Sequence, residues 1–125
     1  MKVKEALQFA EKSLFKAGIE EAKREAALMI AYLMHCSPAN LLLALDKDLD
    51  ADCLERLSFF LEKRAGRYPL QYLLGETEFM SLPMKVAPTV LIPRNDTERV
   101  VEAAIDVLRT CPQAKIADIC TGSGA

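Results

Sequence analysis

The sequence predicts an α+β chain in three parts: a helical bundle over residues 1–65, a β-hairpin linker over 66–93, and the start of an α/β nucleotide-type domain over 94–125. Three observations support this division. Apolar residues recur at helical spacing through the first part. Four of the six prolines lie in the second part. A short apolar run enters a glycine-rich turn in the third part.

Composition narrows the function classes. The chain has 125 residues, 51% of them hydrophobic, with 16 basic against 18 acidic side chains. The net charge of −2 disfavours a dedicated nucleic-acid binder, which usually carries a basic excess. The longest apolar run, residues 26–34, is too short to span a membrane, and no apolar signal core follows the first lysines. We therefore expect a soluble, cytoplasmic protein.

Neither the cysteines nor the acidic residues predict a metal site. The only histidine, His35, adjoins Cys36, but adjacent helical residues point in different directions. Residues 46–52 lack the central glycine and terminal glutamate of a calcium loop, so we expect a solvated turn with cap residues. The cysteines form no C-x-x-C pair and are expected to be reduced core residues. They are Cys36, Cys53, Cys111 and Cys120.

The first two helices are predicted from apolar spacing of three and four residues. The first begins at Val3 and ends before Gly18, because glycine is typical of the position just past a helix end. The second occupies roughly residues 22–33. Their apolar faces comprise Val3, Leu7, Ala10 and Leu14, and then Ala22, Ala26, Met29, Ile30 and Leu33.

Two more helices complete the predicted bundle. Ser37 can cap the third helix, and Pro38 suits its first turn. Asp50 or Asp52 caps the fourth helix, which Gly66 ends. None of the four is long enough to be stable alone, so their apolar faces must pack together. The predicted faces are Leu41, Leu42 and Leu45, and then Leu54, Leu57, Leu61 and Arg64 with Phe60 adjoining.

The second part contains a predicted hairpin. Its strands are expected at residues 77–80 and 84–86, joined through residues 81–83. An extended segment at residues 90–92 follows.

A further amphipathic helix is predicted between Pro93 and Pro112. Asn95 and Glu98 have the spacing of a capping box, in which each side chain accepts a hydrogen bond from the backbone of the other residue. The apolar face of this helix comprises Val100, Val101, Ala104, Ile105 and Leu108.

A short apolar strand is predicted at residues 115–119, followed by a glycine-rich turn at 120–125. Glycine lets backbone approach a ligand closely. The pair Gly122 and Gly124 is a weak signal alone, however, and a plain tight turn explains it equally well. A lone first strand has no sheet to join, so we expect this sequence to be part of a longer protein.

Three specific blocks occur in order between residues 69 and 125. The first reads PLQYL at residues 69–73, with Gly75 and Glu78–Phe79 after it. The second reads VLIPRNDTE at residues 90–98, and the third reads DICTGSGA at 118–125. Together they resemble the HemK/PrmC family of peptide chain release factor glutamine methyltransferases. They are similar to its linker signature, its V-L-I-P-R-P-E-T-E block and the D-L-G-T-G-S-G-A start of its cofactor loop.

The resemblance implies a fold, a reaction and partners. Residues 1–65 would recognise the substrate, and residues 94–125 would be the truncated start of a Rossmann-like domain that binds S-adenosylmethionine. The implied reaction transfers a methyl group from that cofactor to the side-chain amide nitrogen of the glutamine in the release factor's Gly-Gly-Gln motif. The family's Asn-Pro-Pro-Tyr catalytic motif is absent from this chain, so no catalytic residue is assigned. The implied partners are release factors, with no nucleic acid or membrane, and this chain alone is expected to be inactive.

The resemblance also assigns part of a cofactor site, with departures from the family pattern. Cys120 replaces the first loop glycine, and a positive φ there would add roughly 1–2 kcal/mol of strain. Asn95 and Asp96 replace proline and glutamate, yet both suit a helix N-terminus. Arg94 can equally be a surface cation near a helix start. The assigned residues are Asp118, Cys120, Thr121, Gly122, Ser123, Gly124, Leu91 and Arg94.

Other functions stay open at this point. Another amine or amide methyltransferase, including one that modifies adenine, would share a related loop, although the near-neutral charge disfavours a DNA substrate. A helical protein-interaction module without activity is a second alternative. For Gln71 and Tyr72, turn hydrogen bonds and packing against the bundle are favoured over direct substrate contact.

Overall fold

The computed structural model describes all 125 residues, which divide into two compact units, Met1–Leu74 and Gly75–Ala125. The helices of the first unit are joined by short loops, with one isolated β-bridge between Lys2 and Asp48. The second unit contains a hairpin and one helix, so the chain is mixed α and β, as predicted. The first unit comprises α1 (Val3–Lys16), α2 (Ala22–Leu33), α3 (Pro38–Leu41) with a 3-10 turn at Leu42–Ala44, α4 (Ala51–Ala65) and α5 (Leu70–Leu74). The second comprises β1 (Glu76–Phe79), β2 (Leu82–Lys85) and α6 (Asn95–Leu108).

The core of the first unit lies between α1, α2 and α4, as the apolar spacing predicts. One predicted core residue, Leu42, is instead 71% exposed, because the chain tightens into the 3-10 turn after α3 and turns this side chain outward. The buried cluster comprises Val3, Ala6, Ala10, Leu14, Ile19, Ala22, Ala26, Met29, Ile30, Leu33, Leu41, Leu49, Leu57, Phe60, Leu61 and Leu70.

Three helices end with a residue in the left-handed conformation. Gly18 takes this position after α1 with φ 73°, as predicted. His35 takes it after α2 with φ 51°, and Arg67 after α4 with φ 67°. Gly66 is the C-cap of α4, as predicted; its φ is −75°, and the left-handed residue is the next one, Arg67. Non-glycine residues cost roughly 1–2 kcal/mol there, so tertiary packing must offset the strain at His35 and Arg67.

Helix α5 lies within the segment predicted as the linker. The carbonyl of Pro69 accepts hydrogen bonds from the amides of Tyr72 at 3.2 Å and Leu73 at 3.3 Å. Leu70 is buried in the core of the first unit, and α5 packs against α2. The segment that includes Gln71 therefore belongs to a helix on the bundle rather than to the hairpin. In that helix Leu70 is buried, and Leu73 and Leu74 are partly buried against the core.

The predicted hairpin is confirmed, with a shorter connection than expected. Met80 and Ser81 form a two-residue turn with φ 50° and 60°, the left-handed pair that matches the twist of a hairpin. Pro83 lies inside β2 opposite Glu78, not in the connection. A proline is tolerated here because a two-stranded hairpin has only edge strands.

The remainder of the second unit departs from prediction at two places. In α6, Arg94 is the N-cap and Asn95 the first helical residue, so the predicted Asn95–Glu98 capping box does not form. Residues 115–119 form no strand, because no neighbouring strand supplies partners for their amides and carbonyls. The start of a Rossmann-like sheet is thus not seen. The apolar face of α6 is also left unburied, with Val100 67% exposed.

None of the helices has, by itself, the length and apolar composition of a membrane span. The helices Ala22–Leu33 and Pro38–Ala44 reach that length and composition only when taken together, and the chain bends by 88° between them.

Candidate functional site

The predicted cofactor loop forms consecutive tight turns. The hydroxyl of Thr121 donates a hydrogen bond to the carbonyl of Asp118 at 3.1 Å, and the amide of Gly124 donates to the carbonyl of Thr121 at 3.0 Å. Ser123 is half-buried, while the other loop residues up to Gly124 are exposed. The loop therefore has a defined shape of its own and remains open to solvent.

Three alternate loop positions have left-handed backbone. The φ values are 63° at Cys120, 60° at Gly122 and 87° at Gly124, so the positive φ on which the strain at Cys120 depends is present. A Cβ at Gly124 would meet nothing within 4 Å, and one at Gly122 would meet only the carbonyl of Cys120 at 4.0 Å. Conformation, not lack of space within the chain, is therefore the reason for glycine at these two positions.

The other two predicted site residues lie on the segment before α6. Leu91 is 72% exposed. Arg94 is exposed at the N-cap of α6, where its carbonyl accepts the amide of Thr97 at 3.0 Å. The two hydrogen bonds that shape the loop lie within residues 118–124, and neither Leu91 nor Arg94 takes part in them.

One polar contact in this unit was missed by sequence reasoning. The Glu98 carboxylate accepts a hydrogen bond from the backbone amide of Met80 at 2.8 Å, in a part-buried setting. The sequence predicts a local cap for Glu98 because its three-residue separation from Asn95 matches a capping box. Its actual partner lies 18 residues away, and no local pattern indicates it.

The first unit contains a polar cleft of about 310 Å³ at the ends of α1, α2 and α4. Its best-buried polar contact joins Arg64 and Glu25, with Nε–Oε2 at 2.7 Å and Nη2–Oε1 at 3.1 Å. The two side chains are only 18% and 12% exposed. Arg67 donates to the carbonyl of Gly18 at 3.3 Å, which links the ends of α4 and α1. The lining residues are Gly18, Ile19, Glu20, Glu21, Glu25, Arg64 and Arg67.

The acidic residues 46–52 form a turn with cap residues, as predicted. Asp50 is the N-cap of α4 and accepts the amide of Cys53 at 2.7 Å, a hydrogen bond that lowers the pKa of this carboxyl. Asp52 lies inside the helix instead. The exposed Asp46 pairs with Lys4 at 3.2 Å. No group of three or more histidine, cysteine, aspartate or glutamate side chains is arranged to hold a metal ion.

All four cysteines are free, but the prediction that they are core residues is only partly right. Cys36 and Cys53 are half-buried, and burial raises the pKa of the Cys53 thiol. Cys111 and Cys120 are exposed, because no sheet covers the segments that carry them.

The fold places the chain in a class with a small α-helical domain that is followed in sequence by a β-hairpin. Comparison with known proteins gives the family. Residues 5–75, which span α1 to α5, match the PrmC N-terminal domain. The chain therefore belongs to the PrmC N-terminal domain family.

Curated relatives match beyond this domain. The chain is 42% identical over 125 residues to the release factor glutamine methyltransferase of Moorella thermoacetica, covering 100% of this chain and 44% of that protein. It is 37% identical over 123 residues to the enzyme of the same name from Vibrio cholerae, covering 98% of this chain and 43% of that protein. The chain thus spans less than half the length of these relatives.

Proposed function

We propose that this chain is the N-terminal part of a release factor glutamine methyltransferase. The whole protein would transfer a methyl group from S-adenosylmethionine to the side-chain amide nitrogen of the glutamine in the Gly-Gly-Gln motif of peptide chain release factors. The observation that carries the proposal is the 42% identity over all 125 residues, including the loop at 118–125, to a relative with that name. Because release factors act in translation, we assign the protein to the cytoplasm.

The proposal divides the chain by task. Residues 1–65, with α5 packed on them, recognise the release factor. The rest of residues 66–93 forms the linker, and residues 94–125 begin the Rossmann-like methyltransferase domain. The exposed leucines of the first unit support a protein partner, since Leu42 and Leu43 are 71% and 85% exposed on a domain that otherwise buries its leucines well.

The loop residues fit a role in holding S-adenosylmethionine, which supplies the methyl group when bound. The loop is open to solvent, and the space beside Gly124 is free of protein atoms, so a ligand can approach the backbone there. Leu91 and Arg94 would contribute an apolar and a cationic side chain from the segment before α6. The residues proposed to contact the cofactor are Asp118, Cys120, Thr121, Gly122, Ser123, Gly124, Leu91 and Arg94.

The chemistry requires more than this chain contains. A carboxamide nitrogen is a poor nucleophile because resonance delocalises its lone pair. Hydrogen-bond acceptors must therefore hold its protons and orient it towards the methyl group. The two asparagines of this chain, Asn40 and Asn95, are followed by leucine and aspartate, not by the prolines of the family's catalytic motif. We therefore assign no catalytic residue here and expect the chain alone to be inactive.

The test uses the whole protein that contains this sequence, purified release factor and S-adenosylmethionine with a labelled methyl group. We expect label in the release factor and none in a variant with alanine in place of the motif glutamine. Duplex DNA rich in adenine serves as a competing substrate. Label in DNA and not in the release factor would favour an adenine methyltransferase, and label in neither would reject the proposal.

A further inference from the structure

Glu98 makes a contact that its place in the sequence does not require. It lies one turn inside α6, and its Oε1 accepts the backbone amide of Met80 at 2.8 Å. Negative charge near a helix N-terminus is favourable without any partner. The specific bond to the hairpin therefore points to a second role.

The amide of Met80 needs such a partner. Met80 is the first residue of the two-residue turn, and the pair that closes the ladder is Phe79 with Leu82. The amide of the first turn residue is directed away from that ladder, so the hairpin itself does not satisfy it. A carboxylate is a strong acceptor for it, because charge-assisted hydrogen bonds are about twice as strong as neutral ones.

The bond closes a segment that includes two of the proposed cofactor contacts. Residues 81–97 leave the hairpin tip and return to α6, and Leu91 and Arg94 lie within them. One end is fixed by the ladder of β1 and β2 and the other by α6, and Glu98 joins the two ends directly. We propose that Glu98 is a positioning residue that fixes residues 81–97, and with them Leu91 and Arg94, at the edge of the cofactor site. This inference rests on the proposed function.

Two variants of Glu98 separate this role from a simple charge effect. Glu98→Gln removes the charge but keeps an oxygen that can accept the amide, whereas Glu98→Ala removes both. A residue that acted only on the helix dipole would respond equally to the two changes. Glu102→Ala is the matched control, because Glu102 is an exposed acid one turn further along the same helix.

The first measurement is amide hydrogen exchange in the 125-residue chain. We expect the amide of Met80 to exchange at least about tenfold faster in Glu98→Ala, and much less so in Glu98→Gln. The amide of Val86, which bonds to the carbonyl of Gly75 at 3.0 Å, reports whether the hairpin remains folded. Equal protection of Met80 in wild type and Glu98→Ala, or equal loss in Gln and Ala variants, would overturn the inference.

The second measurement is kinetic and uses the whole methyltransferase. We expect Glu98→Ala to raise the KM for S-adenosylmethionine at least about fivefold with little change in kcat, and Glu98→Gln to restore most of it. If the Met80 amide exchanges faster but the KM is unchanged, the proposed role of Glu98 in cofactor binding is overturned, while the proposed function of the protein is not. A wild-type protein that does not bind S-adenosylmethionine would overturn the proposed function, and the cofactor role with it.

Discussion

Cys120 has a left-handed backbone that suits glycine. Its φ of 63° continues the pattern of Gly122 at 60° and Gly124 at 87°. A Cβ in this region adds roughly 1–2 kcal/mol of strain, although glycine has a larger conformational entropy to lose on folding. The strained residue lies in the loop that we propose to contact the cofactor. We therefore expect the strain to lower the affinity of the protein for S-adenosylmethionine.

We expect Cys120→Gly to raise the affinity of the whole protein for S-adenosylmethionine by about fivefold, the net of relieved strain and added entropy. Isothermal titration calorimetry measures the affinity. Cys111→Gly is the control, because Cys111 is another exposed free cysteine outside the loop. An unchanged affinity in Cys120→Gly would contradict the strain argument.

Asp50 is a second residue with a testable role, because its side-chain hydrogen bond makes the stability of the fold depend on pH. Its carboxylate caps α4 through the amide of Cys53, which lowers its pKa from the ordinary value of 3.8. A carboxyl with a lowered folded-state pKa stabilises the fold above its ordinary pKa, and this stabilisation is lost as pH falls through the folded-state value.

Asp50→Ala should therefore lower the Tm at pH 7, and the difference from wild type should shrink as the pH falls below about 3.8. Thermal unfolding followed by circular dichroism from pH 7 to pH 2 measures this. Asp52→Ala provides the comparison, since Asp52 lies within the first turn of α4 and is not the N-cap. A difference that does not change with pH would exclude the cap as its cause.

Helices α2 and α4 are joined by one part-buried ion pair. Arg64 binds Glu25 through two nitrogens, and both side chains are mostly shielded from solvent. Sequence spacing placed Arg64 on the packed side of α4 but gave no reason for a charge there. The reason is Glu25, which lies 39 residues away.

Removing one partner leaves the other charge poorly solvated, so Arg64→Ala should lower the free energy of unfolding by about 2–3 kcal/mol, somewhat less than for a fully buried pair. Arg24→Ala breaks the exposed pair with Glu21 and should cost about 0.5 kcal/mol or less. Urea unfolding measures both. Similar losses for the two variants would show that burial of the pair does not matter.

The elements found from sequence are those whose signal is local. Apolar spacing is enough for α1, α2, α4 and α6, because each helix has a face that repeats every three to four residues. The residues at the left-handed positions after α2 and α4 were not predicted, since the packing that keeps His35 and Arg67 strained is not local. The same applies to α5, whose five residues form a helix only against the bundle.

The candidate site shows the same limit. The loop at 118–124 can be found from the sequence because its glycines and its motif are contiguous in the chain. The strand at 115–119 was predicted wrongly, because a strand exists only with a partner to pair with. The role of Glu98 was missed because its partner is set by the geometry of the hairpin turn.

The family match ends at residue 75, next to the boundary between the two units of the chain. Leu70 is buried in the core of the first unit, so α5 belongs to that unit physically. A chain of residues 1–75 should therefore unfold cooperatively with nearly the stability of the first unit in the full sequence. A chain of residues 1–65 should be less stable by about 2–4 kcal/mol, because it loses Leu70 and the rest of α5. Urea unfolding of the two shortened chains decides this, and equal stabilities would show that α5 adds nothing to the core.

If the first unit recognises the release factor, its binding surface should be separable from the methyl-transfer chemistry. Leu43 is 85% exposed beside Leu42, so burying it against a partner would contribute about 1.5–2 kcal/mol. In a pull-down with purified release factor, Leu43→Glu should lower binding by the 125-residue chain at least about tenfold. Val107→Glu changes an apolar residue of the second unit that is 65% exposed, and it should leave binding unchanged. Equal losses of binding in both variants would indicate non-specific hydrophobic binding. A loss in Val107→Glu alone would indicate that the second unit, not the first, binds the release factor.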